Sequence, residues 1–274
     1  MTPPSDPGSL DHLLAAAERA ALRGGEVVRA GVGTSEATTK GAGDYVTEVD
    51  RSSEQAIGQV LREAAPGIAM LGEEEGWAAG SGAGRYWVVD PLDGTTNFLH
   101  RFPAVGVSVA LVEDGRPVVG VVHSPFLGET ALAVAGGGSR RRREGRADEA
   151  LHVSTRPPER GVIGTGFPFR RKELLERYLR MFEGVLRRFE DLRRPGAAAL
   201  DLAWVAAGVF DGFFELSLSP WDMAAGAVLI REAGGVVSDW DGEPDGYLST
   251  GHILAGSPAV HEVLLELASQ GGGG

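Results

Sequence analysis

Trp87-Val88-Val89-Asp90-Pro91-Leu92-Asp93-Gly94-Thr95-Thr96-Asn97-Phe98 is the stretch on which the reading of this chain turns. Tyr86 to Val89 is a short apolar run, the pattern of a buried strand. It delivers two aspartates, three residues apart, onto a turn. Pro91 fixes the backbone between them and removes one N–H. Gly94 lets the backbone come close to a ligand. Thr95 and Thr96 supply hydroxyls and N–H groups at a helix start, where phosphate is readily cradled. The bland alternative is an Asp-Gly turn with a helix cap. Against it stand two carboxylates beside apolar residues, with no Lys or Arg nearby in the sequence. Two like charges about 4 Å apart repel by about 4 kcal/mol at an effective dielectric near 20. A cation relieves that, and all-oxygen ligands suit Mg²⁺.

On either side of this stretch the chain changes character. Leu10 to Ala30 has the apolar spacing of a helix, and Asp50 to Ala64 reads as a second helix closed by Pro66-Gly67. Gly31 to Gly43 reads as a loop or weak hairpin, and Ile68 to Leu71 as a strand. Val105 to Val112 and Val118 to His123 flank Glu113-Asp114-Gly115-Arg116, a strong hairpin signal. Thr130 to Ala135 continues the strands. The second half alternates: strands at Val162–Thr165, Phe213–Leu216, Val236–Ser238 and Ile253–Ala255, and helices at Lys172–Phe189, Ala197–Ala207, Trp221–Ala233 and Ala259–Ala268. This order predicts an α/β (α+β) body of layered sheets and helices. Residues 9–270 read as one domain, with 1–8 and 271–274 as disordered tails.

Composition narrows the function classes. The chain has 274 residues, 26 basic and 38 acidic, for a net charge of −12. Such a length buries roughly 70–75% of its unfolded surface and needs no staple. The acidic balance argues against a nucleic-acid coat. With no cysteine, a disulfide scaffold, a Cys-based metal site and a Cys nucleophile are excluded. Met1 to Gly8 lacks the features of a signal peptide, and no apolar run of about 18 residues exists. Together these point to a cytoplasmic protein without a membrane partner. No Walker-type phosphate loop occurs. The one basic cluster, Arg140 to Arg143, reads as a solvated loop or an interaction site. His100, His123 and His252 lack metal-ligand spacing and read as structural. Trp204, Trp221 and Trp240 read as core.

Three further acidic places have bland readings when taken singly. Glu73-Glu74-Glu75 follows an apolar run and can be a solvated turn. Asp50, three residues after Thr47, can close a capping box. Asp222 can be a first-turn acid of its helix. Taken in order, however, Asp44-Tyr45-Val46-Thr47-Glu48-Val49-Asp50, Gly72-Glu73-Glu74, the Asp90–Phe98 block, and Trp221-Asp222-Met223-Ala224-Ala225-Gly226 with Glu232-Ala233-Gly234-Gly235 resemble the inositol monophosphatase family. The resemblance runs from about residue 10 to residue 268.

That resemblance implies a lithium-sensitive Mg²⁺ phosphatase with the layered αβαβα sandwich of the inositol monophosphatase/fructose bisphosphatase type, commonly a homodimer. It implies that Glu73, Asp90 and the carbonyl of Leu92 hold one Mg²⁺. Asp90, Asp93 and Asp222 hold a second, and Glu73 shares a third. Asp50 and Thr95 orient or activate the attacking water, with Glu73 in the catalytic set. Asp93, Gly94, Thr95, Thr96, Gly196, Ala197, Ala198, Glu215 and Asp222 form the substrate side. There the backbone of Gly94 and Thr95 meets phosphate oxygens, and Glu215 accepts from polyol hydroxyls. The family's usual hydroxyl is missing at Ala197. The five acids carry −5 and a phosphate monoester adds about −2, so two or three Mg²⁺ are needed before the ester can approach.

Phe98 to Pro103 resembles the inositol monophosphatase branch, and the resemblance implies hydrolysis of inositol-1-phosphate to inositol and phosphate. The same chemistry on fructose-1,6-bisphosphate, a 3′-phosphonucleotide, histidinol phosphate or NADP is the alternative. A binding or regulatory protein with an idle site is the third class, supported only by the Arg140–Arg143 run.

Overall fold

A computed structural model of the chain describes residues 8–33, 37–41, 44–78 and 84–270. The two tails expected to be disordered fall outside these residues, except Gly8. Helix α1 (Leu10–Ala30) is followed by an antiparallel hairpin, β1 (Ala37–Gly41) with β2 (Asp44–Thr47), and then by α2 (Glu48–Ala64). The weak hairpin expected up to Gly43 therefore exists, and it extends to Thr47.

Eight strands then form one sheet. They are β3 (Ala69–Gly72), β4 (Gly76–Ala78), β5 (Arg85–Asp93), β6 (Gly106–Glu113), β7 (Arg116–Ser124), β8 (Glu129–Val134), β9 (Gly138–Arg143) and β10 (Glu149–Ala150), and the short helix α3 (Thr95–Leu99) follows β5. The strand order is β10-β9-β8-β7-β6-β5-β3-β4. The β6–β7 turn has Asp114 at φ 49° and Gly115 at φ 82°, the left-handed pair that an Asp-Gly hairpin turn requires.

Side chains alternate across this sheet with period two. Trp87 and Val89 of β5, with Val107, Val109 and Leu111 of β6, pack on Leu13, Ala17, Ile57 and Leu61 of α1 and α2. Val88, Ala110 and Val112 face the other way, onto helices from the second half of the chain. That half contains β11 (Val162–Thr165), α4 (Leu175–Arg188), β12 (Asp191–Arg193), α5 (Ala198–Ala206), β13 (Gly212–Glu215), α6 (Pro220–Glu232), β14 (Val236–Ser238), α7 (Tyr247–Thr250), β15 (Ile253–Gly256) and α8 (Pro258–Gln270). Its five strands form a second sheet in the order β12-β11-β13-β15-β14.

The small residues of α5 and α6 fill the space between the two sheets. A Cβ on Gly120 of β7 would collide with the Ala225 carbonyl of α6, so helix and sheet meet at backbone distance. On the far side of the second sheet, Tyr178, Met181 and Val185 of α4 and Leu264 of α8 close a third core over Ile163, Phe214 and Leu254. The layers are helix, sheet, helix, sheet, helix, as the resemblance implied. Among the described residues no helix is long and apolar enough to cross a membrane.

The basic run is corrected. Arg140 to Arg143 belong to β9, paired with β8 on one side and β10 on the other, not to a solvated loop. Extended side chains on a strand reach acids on neighbouring elements. Arg142 meets Glu18 of α1 and Asp148, while Arg141 and Arg143 meet Glu129 and Glu149. The tryptophans are packed as expected: Trp240 is buried, and Trp204 and Trp221 pack against the central core. His123 is buried with Nδ1 on the Thr130 hydroxyl, and His252 Nδ1 accepts from the Ser217 N–H.

Candidate metal and phosphate site

In a regular strand, residues three apart point to opposite faces. Asp90 and Asp93 do not, because β5 carries an irregularity between them. Asp90 pairs with Ser108 and Asp93 with Gly106, three residues on β5 against two on β6. The extra residue at the Pro91-Leu92 step reverses the parity. Ser53 Oγ of α2 donates to the Pro91 carbonyl at 2.9 Å and holds the irregularity in place. Asp90 Oδ1 accepts from the Leu92 N–H at 2.9 Å.

Asp222 arrives from the other half of the chain. It sits in the first turn of α6, where its Oδ2 accepts from the Ser219 N–H at 2.7 Å. The helix-cap reading is therefore correct, and the same residue also completes a cluster. Asp90, Asp93 and Asp222 each offer a carboxylate oxygen, and these oxygens lie within 4.8 Å of one another. Asp90 and Asp93 are buried. Burial, then the charges of Glu73, Asp93 and Asp222, hold Asp90 well above the usual carboxylate range. Burial also pushes Asp93 up to about 7, against hydrogen bonds from the start of α5. Asp222 is pushed up to about 7 by burial and by Asp93. Three acids that resist ionising together form a donor set that a divalent cation fits.

Asp50 also does two things. It is the third residue of α2 and accepts on Oδ2 from both the N–H and the hydroxyl of Thr47, at 2.8 and 2.5 Å. Its Oδ1 faces the Thr95 hydroxyl at 3.1 Å, which also lies 3.3 Å from the Leu92 carbonyl. Burial raises Asp50, opposed by the Thr47 hydrogen bonds. Glu73 begins the turn after β3, and its N–H donates to Val89 of β5. It is not one of the three residues in the tight cluster, yet its charge raises Asp90 and Asp93.

On the substrate side, Gly94 has φ 92°, and a Cβ there would stand 3.0 Å from the Ala104 carbonyl and 3.3 Å from Ala197 Cβ. Thr95 and Thr96 follow in the first turn of α3. Gly196 has φ 91°. Ala197, the cap position of α5, has no side chain able to cap. Asp93 Oδ2 replaces it, accepting from Ala199 and Leu200 N–H at 2.8 and 3.4 Å. Ala198 opens the helix beside it. Glu215 ends β13, laid over Gly166 so closely that a Cβ on Gly166 would strike its carboxylate. Burial raises Glu215 to about 8, with Asp222 adding to the rise and Arg194 opposing it.

Sequence reasoning missed four residues. Glu54 is fully buried, and its carboxylate accepts from the Glu74 and Glu75 N–H groups at 2.9 and 2.8 Å, fixing the turn that carries Glu73. The signal was available, since Glu54 falls on the apolar face of α2 with Ser53, Ile57 and Leu61. Asn97 Nδ2 donates to Ala104, Pro195 and Gly196 carbonyls and ties α3 to the Gly196 turn. Asp201 is buried in α5 and raised by burial and by Asp93. Arg194 stands just before the turn. Neither Asp201 nor Arg194 has a local pattern that marks it.

The inositol monophosphatase family model matches residues 9–272. A Pseudomonas aeruginosa protein called Nus factor SuhB is 46% identical over 264 residues, covering 93% of this chain and 95% of the relative. The solved extragenic suppressor protein suhB of Bartonella henselae superposes with a TM-score of 0.87 at 36% identity, covering 94% of this chain and 99% of that one. The inositol monophosphatase of Anabaena (Nostoc) sp. PCC 7120 superposes with a TM-score of 0.84 at 35% identity, covering 95% and 96%.

Proposed function

The chain belongs to the inositol monophosphatase family, and from that premise we propose that it is a Mg²⁺-dependent phosphomonoesterase that hydrolyses inositol-1-phosphate to inositol and phosphate. The observation that carries the reading is the gathering of Asp90, Asp93 and Asp222 within 4.8 Å, next to the hydrogen-bonded Asp50–Thr95 pair. In this reading Glu73, Asp90 and the Leu92 carbonyl would hold one Mg²⁺, Asp90, Asp93 and Asp222 would hold another, and Glu73 would share a third. When bound, Mg²⁺ supplies positive charge for the phosphate and the leaving oxygen and lowers the pKa of water.

The chain's own groups do the rest. Thr95 Oγ1 has one proton and two acceptors within reach, Asp50 Oδ1 and the Leu92 carbonyl. Its oxygen is therefore oriented to receive a hydrogen bond from a water. Asp50, itself held by Thr47, takes up the proton that the water gives up. The water oxygen attacks phosphorus, the ester P–O bond breaks, and the leaving alkoxide takes a proton from solvent, to which Asp50 then returns the one it took up. Backbone N–H groups of Gly94 and Thr95, with Thr96 beside them, receive phosphate oxygens. Gly196, Ala197, Ala198 and Glu215 face the alcohol, and Ala197 offers it no hydroxyl.

Residues 9–270 act in this reading as one catalytic unit, cytoplasmic and homodimeric. The Nus-factor name carried by the Pseudomonas aeruginosa relative favours one second reading, a binding role alongside or in place of catalysis. The arginines of β9 add nothing to it, because acids on α1, β8 and β10 and at Asp148 engage them. The test is phosphate release from inositol-1-phosphate, fructose-1,6-bisphosphate, a 3′-phosphonucleotide, histidinol phosphate and NADP, with and without Mg²⁺. Mg²⁺-dependent release from inositol-1-phosphate is expected. No release from any of them leaves the binding role.

A further inference from the structure

Arg194 is seated in an unusual way. Its guanidinium carbon lies 5.5 Å from the centre of the Phe167 ring and 5.6 Å from that of Phe169. Its Nη1 occupies space 2.5 Å from where a Cβ on Gly196 would stand, so this glycine makes room for the cation. Among the described residues no side-chain hydrogen bond or ion pair engages the Arg194 guanidinium, and its charge acts at longer range on Asp201 and Glu215. Two rings and a glycine seat it.

The seat lies at the alcohol side of the site. The Gly196 carbonyl stands 3.4 Å from the Cβ position of Gly94, the phosphate-side glycine. Glu215 is laid over Gly166, the residue directly before Phe167. Positive charge from Arg194 and from Arg170 acts on Glu215, and that of Arg170 also on Asp222. Phe167 and Phe169 are both exposed, Phe169 at 62%, so the rings and the cation face an incoming molecule together.

A cation–π seat on the surface is worth only about 0.5–1 kcal/mol, and a neutral polyol gains little from a guanidinium. A phosphate gains much, because the planar fork matches its oxygens. At the same place Ala197 offers a polyol no hydroxyl.

We propose that Arg194 is a specificity-determining residue that receives a second phosphate carried on the alcohol part of the substrate, so that bisphosphates are hydrolysed in preference to the matching monophosphates. This rests on the phosphomonoesterase reading above. Only the ester at the metal acids is broken. The second phosphate stays on the product alcohol, held by Arg194 and released with it.

The test measures Mg²⁺-dependent phosphate release by the full chain on two matched pairs. One is fructose-1,6-bisphosphate against fructose-1-phosphate, and the other is adenosine 3′,5′-bisphosphate against adenosine 3′-phosphate. A charge-assisted contact predicts a kcat/KM ratio of about tenfold or more in favour of the bisphosphate in at least one pair. The pair that shows it tells whether the alcohol is a sugar or a nucleoside. In Arg194→Met the ratio falls toward one, through a rise in KM for the bisphosphate, and Arg194→Lys keeps part of it. A ratio near one in the wild type, or one that survives Arg194→Met, overturns the proposal. Monophosphate hydrolysis without the preference sinks this inference alone. No hydrolysis of any of the four esters sinks this inference, and only a failure to release phosphate from inositol-1-phosphate as well sinks the phosphomonoesterase reading with it.

Discussion

Two regions of the molecule concentrate charge, and they resolve it in opposite ways. On β9, Arg140 to Arg143 stand at the surface with their acids already in place: Glu18, Glu129, Asp148 and Glu149. That region is closed electrostatically. At the end of β5, Asp90, Asp93 and Asp222 are drawn together with the charge of Glu73 close by; among the described residues no ion pair joins the three, and only the more distant charge of Arg170 opposes the rise of Asp222. A charge run that finds its partners inside the fold is architecture. A charge cluster that is gathered and left uncompensated needs something from outside.

The largest effect that could break this contrast is at Asp90. Asp90→Asn should lower Mg²⁺-dependent phosphate release by at least about a hundredfold, the scale of losing one preorganised charge contact in a phosphoryl-transfer site. It should also raise the melting temperature of the metal-free protein, because one buried repulsion disappears. Steady-state kinetics and a thermal melt on the same preparation check both. A variant that is fully active would remove Asp90 from the site.

Next is Glu54, the acid on which the Glu73 turn rests. Glu54→Ala leaves the Glu74 and Glu75 N–H groups without their acceptor, at a cost of about 1–3 kcal/mol. We expect a lower denaturant midpoint and weaker Mg²⁺ activation. Glu54→Gln, which keeps an acceptor oxygen, should recover part of each.

A pH series sharpens the comparison further. Burial, with the charges of neighbouring acids, pushes folded Asp93 and Asp222 up to about 7, against 3.8 as an ordinary value. Between these limits the folded chain holds protons that the unfolded chain has released, so stability falls as pH rises. The metal-free melting temperature should therefore drop from pH 5 to pH 8. Added Mg²⁺ should restore it, and more strongly at pH 8 than at pH 5. A metal-free protein that becomes more stable over that range would contradict the assigned repulsion.

The smallest effect belongs to the arginine strand. Arg142→Gln breaks pairs that are partly exposed and should change stability by no more than about 1 kcal/mol. Phosphate release should stay at the wild-type rate.

Much of this was legible before folding. The Asp114-Gly115 turn and its strands followed from local pattern alone, and so did the apolar delivery of Asp90 and Asp93. Asp50 and Asp222 were legible as helix-start acids, and the resemblance, not their local pattern, marked them for the site. What stayed hidden depends on contacts across the chain. The parity change at Pro91 requires pairing with β6. The strand state of Arg140 to Arg143 rests on pairing with β8 and β10 and on acids from α1, β8, β10 and Asp148, which no local propensity announces. Glu54 was readable as a misplaced acid on an apolar helix face, but its purpose appears only when β3 lies against it. Arg194 gains meaning only when Phe167 and Phe169 fold beneath it.

The central claim is that Asp90, Asp93 and Asp222 gather to hold a cation. Titration calorimetry of Mg²⁺ into the metal-free protein at pH 8 tests it most directly. Saturable binding to the wild type is expected, and it should disappear in the Asp93→Asn/Asp222→Asn double variant. Equal binding by the two proteins would contradict it.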